Sequence, residues 1–280
     1  MSTDGVASIA WIAGQWGPAE GLGIPLNDRG LLLADGLFET VLIEQGEPQL
    51  LMAHIARWHQ SAALLAMPRP PLLEVVQALA REAAARSGIT TGALRLNWSR
   101  GGGGRGIDLP TDGGTPQFWL QLAAAQPSFG AITAIVSPTE QRCATSLLSR
   151  CKTFAYGPSI QARRQARAAG AHDALLQSTA GGLCCGTTAN LLLKIEGQWL
   201  TPPLRSGCLP GVMRQRALER GLVAEAAEAI SLDAVAGGAV SAAWLINSLG
   251  CRPLRSLNNQ PLNRYNEAEA QGFWRGLLAP

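Results

Sequence analysis

Residues 149–193 read SRCKTFAYGPSIQARRQARAAGAHDALLQSTAGGLCCGTTANLLL, and this stretch contains Lys152 near its start. The chain has 23 lysine and arginine residues in all, of which only Lys152 and Lys194 are lysine. A guanidinium stays protonated, whereas a desolvated lysine amine can lose its proton and form a Schiff base with an aldehyde. Lys194 precedes a Glu-Gly turn, where an ammonium group reaches water, but Lys152 is followed by the mainly apolar sequence TFAY. The pattern leaves two interpretations of Lys152, a catalytic amine or a surface lysine at the end of a strand.

The composition is that of an ordinary globular protein. A chain of 280 residues is long enough for one large domain or two of usual size, each with a buried core. The net charge of +3 is spread along the sequence, which argues against nucleic-acid binding. No apolar run approaches the roughly 20 residues of a membrane span, so we expect no membrane partner.

The N-terminal segment and the cysteines predict the cellular compartment. Residues 1–17 include Asp4 and no basic residue, which argues against a secretory signal. The six cysteines form no CxxC pair and lie mostly far from the three histidines, so we expect no metal site. Together these features predict a cytoplasmic protein with reduced thiols.

Apolar periodicity predicts mixed strands and helices in the first half of the chain. The expected strands are residues 7–12, 38–44, 93–99 and 117–124, with a turn at 46–48 and a short return strand at 49–51. One helix begins near Met52 and ends before Pro68, and a second covers residues 72–86. The first of these helices places His54 and Arg57 one turn apart on the same face.

The second half is expected to contain strands at residues 131–136, 173–177, 189–195 and 242–247, with helices at 159–169 and from Pro210 onward. Residues 125–130, AQPSFG, are typical of a linker. We therefore predict a first domain at residues 1–124, a linker at 125–130, and a second domain at 131–280 that carries Lys152. Strands and helices do not alternate regularly, which favours an α+β fold over a doubly wound sheet.

If Lys152 binds an aldehyde cofactor that also carries a phosphate, the chain must supply an anion site. Arg57 offers a bidentate guanidinium. The helix that follows Pro210 offers the backbone N–H groups of Val212 and Met213, where the helix dipole favours negative charge. Asn247 and Ser248, at the end of a predicted strand, offer further donors. Each of these features also has an ordinary structural explanation, so the sequence pattern alone does not establish the site.

Five motifs occur together in a fixed order. They are DRGLLLADGLFET at residues 28–40, HIAR at 54–57, the isolated Lys152, GTTANL at 186–191 and PGVMRQ at 210–215. In this order and at these intervals the chain resembles the class IV, or fold type IV, pyridoxal phosphate enzymes, from about residue 10 to about residue 255. That family includes branched-chain and D-amino acid aminotransferases and 4-amino-4-deoxychorismate lyase.

The resemblance implies an architecture and a set of site residues. Enzymes of this family have two α/β domains with pyridoxal 5'-phosphate in the cleft between them, and they pair as homodimers. By resemblance, Lys152 would carry the cofactor, while Arg57, Val212, Met213, Asn247 and Ser248 would hold its phosphate. Tyr156, one of two tyrosines, could line the site or belong to the core.

Two further features are most similar to the lyase. SRGGGGRG at residues 99–106 resembles a glycine-rich loop in which the second arginine, here Arg105, faces a substrate carboxylate. INSL at residues 246–249 resembles a turn beside the phosphate. The glycine-rich segment could instead be a flexible surface loop. An RNA-binding loop is a poorer explanation, because no aromatic platform accompanies it.

One position departs from the family pattern. The family places a glutamate five residues before the asparagine of GTTANL, where it keeps a proton on the pyridine nitrogen, and here that position is Cys185. No acidic residue lies between Asp173 and Glu196, so a shift of register does not restore one. A thiol could donate a hydrogen bond to a neutral ring or form a thiolate–pyridinium pair. Cys185 could equally be a small buried residue without an electronic role.

These features predict a lyase that converts 4-amino-4-deoxychorismate to 4-aminobenzoate and pyruvate, a step in folate biosynthesis. Aromatisation drives that elimination, so a weaker electron sink should impair transamination more than the lyase reaction. The alternatives are an aminotransferase acting on branched-chain or D-amino acids, and a cofactor-binding homologue with little catalysis.

Overall fold

The computed structural model describes residues 7–103, 106–110, 114–262 and 264–279. The chain divides into two compact units, of which the first comprises Met1–Gln126 with Cys151–Ala155 and the second comprises Pro127–Arg150 with Tyr156–Pro280. The first break falls within the predicted linker at residues 125–130. The assignment of Lys152 differs from the sequence-based division, because residues 151–155 pack with the first unit and not the second.

The first unit is a six-stranded antiparallel sheet with helices. Its elements are β1 (Ser8–Ile12), β2 (Gln15–Gly17), α1 (Arg29–Leu33), β3 (Gly36–Glu44), β4 (Glu47–Pro48), α2 (Leu51–Leu64), α3 (Leu73–Ser87), β5 (Thr91–Gly102) and β6 (Thr115–Ala124). The strand order is β2-β1-β6-β5-β3-β4. The return strand of the β3 hairpin, β4, lies within the predicted turn at residues 46–48 and not at residues 49–51, so that prediction is wrong. The chain already turns at Gln45 and Gly46, whose φ values are 54° and 77°, and Leu50, with φ of 53°, leads directly into α2.

Strand periodicity gives this sheet two different faces. Alternate residues of β3, β5 and β6 are apolar and join the apolar side chains of α2 and α3 in one core, as Val41, Leu94 and Trp58 illustrate. The intervening residues point to the opposite face, where Phe38 is opposite Asn97 and Thr40 is opposite Arg95 in the strand register. Polar and aromatic side chains therefore collect on the sheet face away from the two helices.

Residues 151–155 extend the first unit along the start of β3. The backbone N–H of Phe38 donates to the carbonyl oxygen of Lys152 at 2.8 Å, and the N–H of Phe154 donates to that of Gly36 at 3.0 Å. Gly36 has to lack a side chain, because a Cβ there would overlap the ring of Phe154. These bonds explain why Lys152 belongs with the first unit although most of the neighbouring sequence belongs to the second.

The second unit is built on a nine-stranded mixed sheet. Its elements are β7 (Ile132–Arg142), α4 (Gly157–Ala168), β8 (Asp173–Ser178), β9 (Leu183–Gly186), β10 (Asn190–Ile195), β11 (Gln198–Thr201), α5 (Val212–Glu219), β12 (Ala224–Glu225), α6 (Leu232–Ala236), β13 (Val240–Asn247), β14 (Gly250–Leu257), β15 (Gln260–Pro261) and α7 (Glu267–Leu278). The main strand order is β12-β11-β10-β13-β14-β7-β8-β9, and β15 pairs with β14.

Strand β9 also pairs with β10, so six strands of this sheet form a closed ring. The pairs β7–β14, β7–β8 and β11–β12 are parallel and the other pairs are antiparallel. Apolar residues such as Leu175, Leu191 and Leu245 form one of its clusters, and Cys184, Cys185 and Cys208 belong to another. The mixed sheets and helices of the two units confirm the predicted α+β class.

All six cysteines lie in the described part of the chain, and none of them forms a disulfide. Within the same described ranges, no helix combines the length and the apolar character needed to cross a bilayer.

Candidate active site

Lys152 lies over an aromatic ring on the polar face of the first unit's sheet. Its Nζ is 4.3 Å from the centroid of the Phe38 ring, and the guanidinium carbon of Arg95 is 3.6 Å from the same centroid. Phe154 packs against Trp119 with ring centroids 5.7 Å apart, which adds a second aromatic contact on this face. Two cationic side chains thus meet at one buried phenyl ring.

Arg95 was not among the site residues predicted from the sequence. It follows Leu94 and precedes Leu96, both fully buried in the helix-facing core, so strand alternation alone puts Arg95 on the other face. Its Nε donates to Asn97 Oδ1 at 2.7 Å, which orients the guanidinium along β5. The sequence therefore did contain a signal for Arg95, because it is a charged residue within a strand that alternates apolar and polar positions.

On the helix-facing side, one carboxylate joins two of the motifs. Glu39 Oε1 accepts a hydrogen bond from Arg57 Nε at 2.8 Å, and Oε2 accepts one from Arg57 Nη2 at 2.5 Å. His54 Nδ1 lies 2.8 Å from the same Oε2 atom. Glu39 and His54 are each only 1% exposed, so this ion pair is shielded from solvent. Arg57 is therefore held by a buried partner and is not a solvated surface arginine.

The charges of this cluster follow from its burial and its contacts. Burial alone would raise the pKa of Glu39, but the Arg57 charge and the bonds from His54 and Arg57 outweigh it and lower that pKa to about 2. Burial lowers the pKa of His54 below its ordinary value, against the opposing effect of Glu39. An ionised carboxylate can only accept hydrogen bonds, so a neutral His54 carries its proton on Nδ1. The cluster therefore contains one anion, one cation and a neutral imidazole at neutral pH.

Arg29 of the first motif anchors the end of the glycine-rich segment. Its Nη1 donates to the carbonyl oxygens of Gly106 at 3.3 Å and Asp108 at 3.0 Å, and its Nη2 donates to that of Ile107 at 3.1 Å. The Nε atom of Arg29 donates to Asp35 Oδ2 at 2.9 Å, and this bond helps to fix the orientation of the guanidinium. Arg105, the predicted carboxylate-binding residue, lies outside the described residues.

In the second unit, Cys185 occupies a defined position opposite Asn190. The two residues pair across β9 and β10, which are joined by a tight turn closed by a 2.9 Å bond from the Gly186 N–H to the Ala189 carbonyl oxygen. This hairpin explains the spacing of five residues between them. Cys185 is 7% exposed and belongs to an apolar cluster, which fits a small buried residue and leaves its electronic role a prediction.

Asn190 connects this hairpin to the start of α5. Its Nδ2 donates to the carbonyl oxygen of Leu209 at 2.8 Å, and its Oδ1 fills the space that a Cβ on Gly211 would need. Gly211 is the N-cap residue of α5, and no side chain caps this helix start. The first N–H groups of the helix, those of Val212 and Met213, are therefore available in the geometry that favours an anion.

Asn247 is the last residue of β13, and Ser248 begins the turn that leads to β14. Asn247 Nδ2 donates to the carbonyl oxygen of Thr188 at 3.3 Å, so this turn contacts the β9–β10 hairpin. Three motifs of the sequence, at residues 186–191, 210–215 and 246–249, thus meet at one edge of the second unit. Tyr156 is half-buried at the N-cap of α4, and its role at the site or in the core stays a prediction.

The side chains present suit an aldehyde that carries a phosphate. Taken separately, the first unit contains the amine of Lys152 and the buried guanidinium of Arg57, and the second unit contains an uncapped helix start. An amine binds an aldehyde carbon, and guanidinium and helix N–H groups bind a phosphate dianion. The cofactor chemistry expected from the sequence is therefore compatible with the groups that each unit offers.

Residues 36–257 match the model of the family described as "Amino-transferase class IV". The chain belongs to this family, whose members are enzymes that depend on pyridoxal 5'-phosphate. The family predicted from the sequence motifs is thereby confirmed.

Several known proteins are similar to this chain. The bifunctional aminodeoxychorismate lyase / D-amino acid transaminase of Mycobacterium tuberculosis is 30% identical over 211 residues, which cover 70% of this chain and 73% of that protein. The branched-chain amino acid aminotransferase of Escherichia coli has a similar structure, with a TM-score of 0.85, 20% identity and coverage of 98% of this chain and 95% of that one. A fold type IV transaminase from Curtobacterium pusillum matches with a TM-score of 0.82, 24% identity and coverage of 98% and 99%. These two structural matches support the fold.

Proposed function

We propose that this enzyme is a lyase that converts 4-amino-4-deoxychorismate to 4-aminobenzoate and pyruvate, and so acts in folate biosynthesis. The observation that favours the lyase over a transaminase is Cys185, which lies opposite Asn190 where the family has a glutamate. Replacing the family's carboxylate with a cysteine at this position weakens the pull on electrons at the pyridine nitrogen. Formation of an aromatic ring compensates for that loss in the lyase reaction, and no such compensation exists in transamination.

In this proposal Lys152 would hold the cofactor through its amine, and the same amine would be free to act on the substrate once the substrate is bound. Bound there, pyridoxal 5'-phosphate supplies an electron-withdrawing ring that stabilises negative charge on the substrate carbon bearing nitrogen. The released Lys152 amine removes the proton from that carbon as a general base. The neighbouring carbon–oxygen bond then breaks, the six-membered ring becomes aromatic, and Lys152 returns the proton to the departing enol, which becomes pyruvate.

Arg57, Val212, Met213, Asn247 and Ser248 would anchor the phosphate. The substrate carries two carboxylates, and two arginines are candidates to bind them. Arg105 is the residue suggested by the sequence, and Arg95 is the one suggested by its contact with the ring that also lies under Lys152. Tyr156 remains a candidate to line the substrate site. We further propose that the enzyme is cytoplasmic and forms a homodimer. Light scattering of the purified protein, which measures its molar mass, would test the homodimer.

The decisive experiment supplies 4-amino-4-deoxychorismate to the purified enzyme and measures both products. We expect equal amounts of 4-aminobenzoate, detected by its fluorescence, and pyruvate, detected by coupled reduction to lactate. Formation of neither product, with turnover of an amino acid and 2-oxoglutarate instead, would identify an aminotransferase. That second function has a specific observation in its favour, because the Mycobacterium tuberculosis relative is named for both activities.

A yellow protein that is inert toward all these substrates would support the third hypothesis, a cofactor-binding homologue with little catalysis. A protein that does not bind the cofactor at all would contradict all three hypotheses. The assay therefore separates the lyase, the transaminase and the inactive homologue with one preparation.

A further inference from the structure

Glu39 is a buried acidic residue to which the mechanism above assigns no step. It lies on β3 between Phe38 and Thr40, and it is 1% exposed. Its side chain points toward α2, among the apolar residues of the helix-facing core, because Leu96 is its partner in the strand register and is fully buried. Burying a carboxylate in such surroundings costs free energy unless it is paired. In this protein Glu39 is paired with His54 and Arg57.

The contacts of Glu39 are directed at a single helix face. His54 and Arg57 lie one turn apart on α2, and both side chains turn toward the same carboxylate. Arg57 uses Nε and Nη2, so the two parallel bonds fix the plane of the guanidinium as well as its position. His54 donates from Nδ1 to the oxygen that also accepts from Arg57 Nη2, which fixes the carboxylate in turn.

The same strand serves the opposite face of the sheet. Phe38, the residue before Glu39, lies under Lys152 Nζ at 4.3 Å. Adjacent strand residues point to opposite faces, so Phe38 contacts Lys152 and Glu39 contacts Arg57 from one two-residue segment of β3. Burial and, to a smaller extent, the charge of Lys152 lower the pKa of His54, so Lys152 lies within electrostatic range of α2. Arg57 and Lys152 are therefore both positioned by contacts with the same strand, β3, of the first unit.

We infer that Glu39 is the positioning residue for Arg57, which it holds in the orientation that binds the phosphate of the cofactor. This inference rests on the proposed role of Arg57 in phosphate binding. In this inference, phosphate binding would use guanidinium N–H groups of Arg57 other than the two that donate to Glu39. Glu39 touches neither cofactor nor substrate in this role and acts through Arg57, with His54 holding the carboxylate.

The test compares two aldehydes that differ only in the phosphate. Dissociation constants of pyridoxal 5'-phosphate and of pyridoxal are measured by absorbance for the wild-type apoenzyme, Glu39→Gln, Arg57→Lys and the double variant. Glu39→Gln is expected to weaken binding of the phosphate ester about 10- to 100-fold, the usual effect of losing hydrogen bonds to a charged group. Binding of pyridoxal should change by less than about 3-fold, since it has no phosphate to lose. The losses in the double variant should be less than the product of the two single losses.

Glu47→Gln is the matched control. Glu47 forms an ion pair with Arg81 in the same unit, but both side chains are more than half exposed, at 52% and 55%. We expect both dissociation constants to stay at the wild-type values for this variant. The comparison separates the loss of a glutamate–arginine pair in general from the loss of the one that holds Arg57.

The possible results distinguish this inference from the proposed function. Wild-type protein that binds neither aldehyde would overturn both. Wild-type protein that prefers the phosphate ester, together with a Glu39→Gln variant of unchanged preference, would overturn the inference alone. Equal weakening of the binding of both aldehydes would also overturn the inference, because a purely structural role predicts that result.

If Glu39→Gln does not fold, Glu39→Asp retains the charge on a shorter side chain, and the same selective loss of affinity for the phosphate ester is expected there. An unchanged phosphate preference in Glu39→Asp would then count against the inference.

Discussion

The side-chain amide of Asn190 donates a 2.8 Å hydrogen bond to the backbone carbonyl oxygen of Leu209, two residues before the N-cap of α5. This bond joins the β9–β10 hairpin to the helix start that is proposed to receive the phosphate. The Asn190 Oδ1 atom also lies where a side chain on Gly211 would have to go.

The first prediction concerns that close approach. Gly211→Ala should displace Asn190 or the start of α5, and we expect affinity for pyridoxal 5'-phosphate to fall about 10-fold or more, since the helix N–H groups lose their alignment. Spectrophotometric titration of the apoenzyme measures this. Gly272→Ala is the control, because Gly272 lies within α7 with no heavy atom near its Cβ position. An unaffected Gly211→Ala enzyme would show that the helix start does not contact the phosphate.

The second prediction concerns the two lysines. Borohydride reduction of the holoenzyme should attach the cofactor to the peptide that contains Lys152, because only an amine can form the reducible bond. Lys152→Ala should lose the label and reduce turnover by about 100- to 10,000-fold, the range for removing a general acid–base group. Lys194→Ala, which removes the other lysine of the chain, should retain both properties. A label on Lys194 in the wild-type enzyme would contradict the assignment.

The third prediction concerns Arg95. If its guanidinium binds a substrate carboxylate, Arg95→Gln should raise KM about 10- to 100-fold, because a charge-assisted hydrogen bond is lost, with a smaller change in kcat. Affinity for the cofactor should not change. Arg81→Gln provides a control at an exposed ion pair of the same unit. Steady-state kinetics with 4-amino-4-deoxychorismate would decide the matter, and an unchanged KM would remove Arg95 from the substrate site.

The fourth prediction concerns acid stability. The pKa of Glu39 is lowered from 4.5 to about 2, so its stabilising effect is complete above pH 4.5 and is lost as the pH falls toward 2. His54 also has a lowered pKa, so its contribution begins to decrease below its ordinary value of 6.5. A shift of this size for Glu39 corresponds to about 3 kcal/mol of unfolding free energy. Urea unfolding of the apoenzyme should show a decrease from pH 7 to pH 3 that is smaller in Glu39→Gln, and identical pH slopes would contradict the pairing.

The fifth prediction concerns the residue opposite Asn190. Cys185→Glu restores the carboxylate that the family places there, so the ring should become a stronger electron sink. We expect the ratio of transaminase to lyase turnover to rise, as measured with an amino acid and 2-oxoglutarate against 4-amino-4-deoxychorismate. Cys208→Ser is a control at another buried cysteine of the same cluster. An unchanged ratio in Cys185→Glu would mean that this position does not govern the choice of reaction.

The sequence predicted the elements that have strong periodicity. The helices at α2, α3 and α4 and the strands β5, β6 and β10 all lie close to their expected positions, because amphipathic patterns record which face is buried. Strand β14 was missed because its sequence GCRPLRSL contains a proline and has no regular alternation. Helix α7 was missed because two glycines interrupt a helical pattern, and packing of Trp274 and Leu277 stabilises it in the folded unit.

The sequence by itself determined the family and the identity of the candidate lysine, because motif order and the scarcity of lysine are properties of the chain alone. Only the tertiary structure decided how the motifs are connected. The partners of Arg57, the contact of Arg95 with Phe38 and the placement of residues 151–155 beside β3 all join residues that are far apart in the chain. Such contacts depend on strand register and on which face of a sheet a side chain occupies, and these are fixed only when the strands pair and the core closes.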